Sequence, residues 1–385
     1  MMTSQRPLTG IRVVEVSSFV ASPLCGLTLA QLGAEVVRID PVGGAADISR
    51  WPLTDGHNGA PVGTSIYWTG LNKGKRSVTA DLKSTEGQTL VQRMVVDSGP
   101  GGGVLVTNSA GRDWMSHRTL SALRSDVITL ELVGGSDGSP GVDYTVNAGL
   151  GFPMITGPTQ NAGVVNHVLP AWDVACGLYA ALAITAAVRR RDLTGRGAEI
   201  RLPLEDVALS ITSCLGYLTE PQVNSRDRLG TGNDVYGTYG TDFATADGGR
   251  IMVVALTPRH FRDLVEVTGC KDAVAALEAA LGVDFSTESA RFIHRETLTA
   301  LFARWFSEHT TVEVEQVLAT TTVLHQRYRT FEDVVTSGDL RDHPLFEVLE
   351  QPGVGRFLAA AMPAAFDGEH YFTGPAEELG SSTPQ

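Results

Sequence analysis

Residues Ile11–Ile39 read IRVVEVSSFVASPLCGLTLAQLGAEVVRI, and the order of segments within them decides the fold class. Ile11–Val16 is a short apolar, β-branched run that reads as a buried strand. Pro23–Leu32 is helical, Gly33 stops it, and Glu35–Ile39 is again strand-like. Working outward, Ser77–Leu82 predicts a strand, Gly87–Val96 a helix, and Val104–Val106 and Val127–Val133 further strands. Strands alternating with helices of about 10–15 residues imply an α/β fold with a parallel sheet and right-handed crossovers. The turn after the first strand, Ser17–Pro23, is small and polar, so its backbone N–H groups suit an anion. Ser22 as an N-cap with Pro23 at the first helical position accounts for the same residues. No Gly-x-Gly follows that strand, Gly99–Gly103 precedes a strand, and no helix signal follows Gly134–Gly138; a nicotinamide site is excluded on these grounds.

A long helix is expected over Ala171–Arg191, with Arg189, Arg190 and Arg191 at its C-terminal end, then a turn at Leu193–Gly197 and a strand at Ala198–Leu202. Beyond Arg226 the texture changes. Gly230–Gly240 (GTGNDVYGTYG) leads to a turn at Ala246–Gly248, a strand at Ile251–Ala255 and helices such as Arg259–Thr268 and Arg295–His309. These features divide the chain into residues 1–205 (first part of a large domain), 206–225 (linker), 226–323 (a smaller α+β domain) and 324–385 (linker and return). A net charge of −13 and a pI near 5.1 argue against nucleic acid or an anionic membrane as partner. The uncharged stretch Val174–Val188 is shorter than the roughly 20 residues a membrane span needs, and the N-terminus has no apolar signal core, so a cytoplasmic location is expected. Cys25, Cys176, Cys214 and Cys270 lie far apart and the histidines show no metal spacing; neither a metal nor a redox site is expected.

Four stretches, in order, resemble one family: Pro7–Asp40, Asn72–Leu82 (NKGKRSVTADL) running into Glu86-Gly87, Asp173–Gly197 (DVACGLYAALAITAAVRRRDLTGRG), and Gly237–Gly248 ending in Thr-Ala-Asp-Gly. The family is the class III CoA-transferases, which include formyl-CoA transferase, carnitine CoA-transferase and α-methylacyl-CoA racemase. The resemblance implies a Rossmann-like large domain built from both chain ends, a small central domain, and an interlocked homodimer. It also implies an acyl-CoA substrate, with coenzyme A as part of the substrate and no permanently bound cofactor. Asp173 matches the family's nucleophile; on its position alone it could equally be a helix cap. Gly230, Gly232, Gly237 and Gly240 match a mobile loop expected to supply oxyanion donors, although glycines in a turn account for them as well.

By the same resemblance Phe19, Val20 and Ala21 form a backbone-contact turn for CoA. Arg38, Lys73, Lys75 and Arg76 lie on segments that contact it in relatives, and Asn108 and Arg112 are further CoA-binding candidates; solvated surface positions are the plain alternative for the basic residues. Ser109 replaces a phenylalanine that relatives carry after the asparagine. Segments such as Val142–Asn147 (VDYTVN) and Val165–Asp173 (VNHVLPAWD) resemble the branch that moves CoA between the two carboxyls of one dicarboxylate, mesaconate (2-methylfumarate). Arg50, Asn166 and His167 are candidates for holding the free carboxylate, and His167 could equally be structural. CoA transfer from an acyl-CoA to a separate acid is the alternative. Racemase chemistry is disfavoured because Val142 stands where racemases have histidine and Thr241 where they have an acid, although Asp242 is adjacent.

Overall fold

The computed structural model describes residues 5–109, 111–158 and 163–384 and divides into two compact units. The first takes in residues 1–151, 167–226 and 338–385, the second residues 152–166 and 227–337. The first unit holds a six-stranded parallel sheet of β1 (Arg12–Val16), β2 (Glu35–Pro41), β3 (Arg76–Ala80), β4 (Val104–Thr107), β5 (Ile128–Val133) and β6 (Ala198–Pro203). Their order is β3-β2-β1-β4-β5-β6, so the strand sequence reverses between β1 and β4. In open sheets of this kind ligands bind beyond the carboxyl ends of the strands at such a reversal. Val13, Val14, Val36, Val104, Leu105 and Ile128 are almost wholly buried, which is why the strands read as continuous apolar runs rather than alternating ones.

Crossovers and caps are supplied by α1 (Ala21–Gln31), α2 (Ile66–Asn72), α3 (Thr85–Val96), α4 (His117–Leu123) and α5 (Asp143–Gly149); the short α6 (Phe152–Ile155) belongs to the second unit. The long α7 (Ala171–Thr194) packs on α1, and α8 (Leu204–Cys214) follows β6. Gly177 makes the α7–α1 contact close, since a Cβ there would lie 2.6 Å from the carbonyl oxygen of Ala21. By length and composition α7 could cross a membrane, but Cys176, Ala180, Ala181, Ile184 and Val188 are buried in the unit. Leu178, Tyr179 and Leu182 stay exposed on its other side.

The tail returns to the sheet edge beside β3. The Ser77 N–H donates to Glu377 Oε2 at 2.9 Å, and Ser382 N–H donates to the Ser77 carbonyl at 2.8 Å. β10 (Phe346–Gln351) and β11 (Gly355–Ala360) form an antiparallel hairpin before it. The second unit is an antiparallel sheet of β7 (Tyr239–Ala244), β8 (Arg250–Ala255) and β9 (Leu324–Arg327), with helices Pro258–Val267, Arg295–Ser307 and Thr311–Leu318 on its core of Tyr239, Phe261, Phe302 and Phe306.

The start of α1 differs from expectation. The helix begins at Ala21, two residues earlier than Pro23, and Ser22 is not its cap. Ser22 lies inside the first turn, fully buried. The chain reverses instead at Phe19, whose φ of +67° is left-handed and whose N–H donates to Asp47 Oδ2 at 2.9 Å.

Candidate active site

The N-terminus of α7 is built by two helices that meet. Asp143 opens α5, is 2% exposed, and turns its carboxylate onto the first turn of α7. Its Oδ2 accepts the N–H groups of Trp172 at 2.8 Å and Asp173 at 3.1 Å. Its Oδ1 lies 2.6 Å from His167 Nε2, and a carboxylate oxygen there makes the imidazole the donor. One turn along α5, Asn147 Oδ1 accepts the indole N–H of Trp172 at 3.1 Å. Asp143 is therefore the cap of α7, in the role that position alone had left open for Asp173.

The Asp173 carboxylate is thereby left free of the capping role, and no side chain among the described residues donates a hydrogen bond to it. Burial raises its pKa to about 6, the Asp143 charge adds to the rise, and Arg50 opposes it. The first amides of α7 are engaged by Asp143, so the Asp173 carboxylate is weakly solvated, and with a pKa of about 6 it is mostly ionised at pH 7. Such a group is a better nucleophile than one in water. Cys176, one turn further along, is no competitor: burial, then the Asp173 charge, pushes its thiol up to about 12. Burial also drives the Cys25 thiol far above its ordinary range.

Arg50 stands beside this carboxylate. Its guanidinium carbon lies 5.4 Å from the Tyr67 ring centroid and 5.6 Å from that of Phe19, while the residue stays exposed. Burial lifts the Tyr67 phenol to about 12, with Arg50 acting against the rise and Asp173 and Asp47 adding to it. Arg50, Tyr67, Phe19 and Asp173 thus share one neighbourhood, a half-buried carboxylate beside an exposed cation.

Phe19, Val20 and Ala21 sit at the reversal between β1 and β4. Asn108, just past β4, ties that turn down: Ser18 N–H donates to its Oδ1 at 3.1 Å, and its Nδ2 donates to the Ser18 carbonyl at 2.8 Å. Its amide is thus engaged with the turn rather than presented outward. Arg112 is exposed and lines a cavity of about 480 Å³ with Ser109, His117, Glu131 and Arg201.

Two of the basic candidates are placed differently from expectation. The Arg38 side chain is 1% exposed and donates to Asp40 Oδ2 at 2.9 Å, Asp47 Oδ1 at 3.0 Å and Asn72 Oδ1 at 3.2 Å. Lys75 is as deeply buried, with Nζ 2.9 Å from Glu15 Oε2, 2.8 Å from the Pro23 carbonyl and 3.0 Å from Asn72 Oδ1. Both charges are buried against acids rather than exposed at the surface. Arg76 is exposed at the amino ends of the strands, away from their carboxyl ends, where Glu35 pairs with it at 3.2 Å and with Arg12 at 2.8 Å. Lys73 is half-buried, and burial lowers its pKa.

The glycine run belongs to the second unit, as does exposed Asn166. Gly232 (φ +63°) and Gly237 (φ +84°) occupy left-handed turns, whereas Gly240 lies within β7, where a Cβ would come 2.8 Å from the Val235 side chain. Asp242 is bound by Arg250 and Asn233, so it is not a free acid of the racemase kind.

The family profile described as CoA-transferase family III matches residues 8–382. The chain belongs to this family. CoA-transferase family III membership extends to curated relatives along nearly the whole chain. It is 43% identical to 2-methylfumaryl-CoA isomerase of Chloroflexus aurantiacus, over 98% of this chain and 92% of that protein. It is 30% identical to succinate–glutarate CoA-transferase of Agrobacterium fabrum, over 84% of this chain and 76% of the relative. Among solved structures, a CaiB/BaiF family protein from Brucella suis superposes with a TM-score of 0.78 over 98% of this chain and 97% of that one, at 24% identity, which speaks to the fold. The chain is thus an enzyme of the CoA-transferase type with an acyl-CoA substrate.

Asp143 escaped the sequence reading. Its signal was present in the VDYTVN segment, where Asp143 and Asn147 are four residues apart and so share a helix face.

Proposed function

We propose that this enzyme moves CoA between the two carboxyls of a single dicarboxylate, mesaconate, with Asp173 as covalent carrier. The observation that carries this reading is the 43% identity along the whole chain to a 2-methylfumaryl-CoA isomerase, against 30% or less to the CoA-transferases named for two different acids. An Asp173 oxygen attacks the thioester carbonyl; the C–S bond breaks and CoA thiolate leaves, giving an acyl-aspartyl anhydride. The thiolate then attacks the aspartyl carbonyl, forming aspartyl-CoA and releasing that carboxylate of mesaconate. The other carboxylate of the same molecule attacks aspartyl-CoA, expelling thiolate and forming a second anhydride. Thiolate attacks its mesaconyl carbonyl, which frees Asp173 and yields the regioisomeric thioester.

Arg50 suits the free carboxylate, because it offers an exposed, always-charged fork beside the nucleophile. Phe19, Val20 and Ala21 suit the pantetheine arm at the strand reversal, and Arg112 a phosphate. The exposed apolar side chains Leu178, Tyr179 and Leu182 of α7 fit coverage by a second copy, in the interlocked homodimer that the family resemblance implies.

The test is a single mesaconyl-CoA regioisomer incubated with excess ¹³C-labelled free mesaconate. Unlabelled product of the opposite regiochemistry supports the proposal. Label in the product would mean that the acid exchanges with solution, and the intermolecular reading would replace this one.

A further inference from the structure

We propose that His167 is a positioning residue for the nucleophile, acting through the Asp143 carboxylate that it shares with the first amides of α7. The inference rests on the reading of Asp173 as covalent carrier and adds a residue to it. Asp143 is nearly sealed from water, and each of its oxygens has a defined job: Oδ2 holds the Trp172 and Asp173 amides, and Oδ1 faces His167 Nε2 at 2.6 Å. The imidazole is itself clamped. Its ring meets the Tyr144 ring edge-on at 5.9 Å and lies 6.3 Å from the Trp172 ring, while Tyr144 Oη donates to the Val168 carbonyl at 3.4 Å. The chain between His167 and α7 is largely exposed, with Val168 91% and Leu169 62% exposed. The hydrogen bond to Asp143 therefore fixes this strap, the carboxylate plane and the start of α7 together.

The consequence is electrostatic as well as geometric. Asp143 is a like charge close to Asp173 and opposes its ionisation. A donor on Oδ1 draws that charge away from Asp173 and keeps the carboxylate from rotating toward it. The other groups facing Asp173 are Arg50 from the segment after β2, Tyr67 on α2 and Cys176 on α7. Only Arg50 among these offsets the Asp143 charge, so a second donor matters.

The test compares wild type with His167→Ala, His167→Gln and Asp143→Asn in two measurements. One is the pH profile of kcat/KM for a mesaconyl thioester; the other is an isotope-edited infrared titration of the Asp173 carboxylate without substrate, its band identified with Asp173→Asn. His167→Ala is expected to move both midpoints upward by about half a pH unit or more. Its activity then falls about twofold or more near pH 6 and converges on wild type near pH 8. His167→Gln, which keeps a donor, stays nearer wild type. Asp143→Asn, which keeps the acceptor for α7 but loses the charge, moves the midpoints downward. Unmoved midpoints with a uniform loss of kcat would overturn the proposal and leave His167 as scaffold only, and so would a glutamine variant as defective as the alanine one. If His167→Ala does not fold, the Gln and Asn variants decide by the same criteria. A shifted infrared midpoint with no turnover of either thioester would instead sink the functional reading.

Discussion

Replacing Asp173 by asparagine should stabilise the protein while abolishing turnover. In the folded enzyme the Asp173 pKa stands at about 6 instead of its ordinary 3.8, so ionising it costs more folded than unfolded. At about 1.36 kcal/mol per pH unit that difference is about 3 kcal/mol, which water reaching the part-exposed carboxylate trims to about 1–2 kcal/mol. The sign follows from the raised value. Below the unfolded pKa the carboxyl is protonated in both states and costs nothing, so variant and wild type match. Between about pH 4 and 6 the wild type loses stability because the unfolded carboxyl ionises while the folded one stays protonated, and above pH 6 the gap is complete. Asparagine has nearly the same shape and keeps the backbone N–H that Asp143 accepts, so its gain should appear at pH 7–8 as a Tm higher by a few degrees and vanish near pH 4. Thermal scans of both proteins at matched rates across this range measure it. A variant less stable at pH 8, or a difference independent of pH, would refute the reasoning, since Asp173 would then not be a strained anion.

Further expectations concern the surroundings of that anion. The kcat/KM profile should have an acid limb near pH 6, activity falling about tenfold from pH 7 to pH 5. Arg50→Ala should move the limb to higher pH, since the Arg50 charge acts to lower the Asp173 pKa; a pH–rate series checks both. Arg38→Met should leave Asp40 and Asp47 buried without their cation, costing about 3–5 kcal/mol in denaturant titration, and an unchanged midpoint would contradict the buried network. Gly177→Ala should force α7 off α1 at a cost of about 1–3 kcal/mol and reduce kcat, measurable by thermal shift and steady-state assay.

The parallel sheet was legible because its strands are buried on both faces and therefore appear as unbroken apolar runs, with Gly33 marking the first helix end. The end of α1 could be read but not its start, since a left-handed Phe19 held by Asp47 is a tertiary feature with no local signature. The family resemblance pointed to Asp173 as the candidate nucleophile, whereas the sequence did not point to the cap of its helix: Asp143 and Asp173 are thirty residues apart, and the meeting of α5 with α7 joins them. Arg38 and Lys75 were misplaced because charge in a sequence carries no burial. A hint existed in Glu15 and Asp40, acids set inside apolar strands that need buried cations.

The most direct measurement is a borohydride quench during turnover of one mesaconyl-CoA regioisomer, followed by peptide mass spectrometry. A thioester or anhydride on Asp173 would be reduced to the alcohol, so the account predicts that residue, and no cysteine, to be modified only when substrate is present. Continued turnover with Asp173 intact, or reduction traced to any other residue, would contradict it.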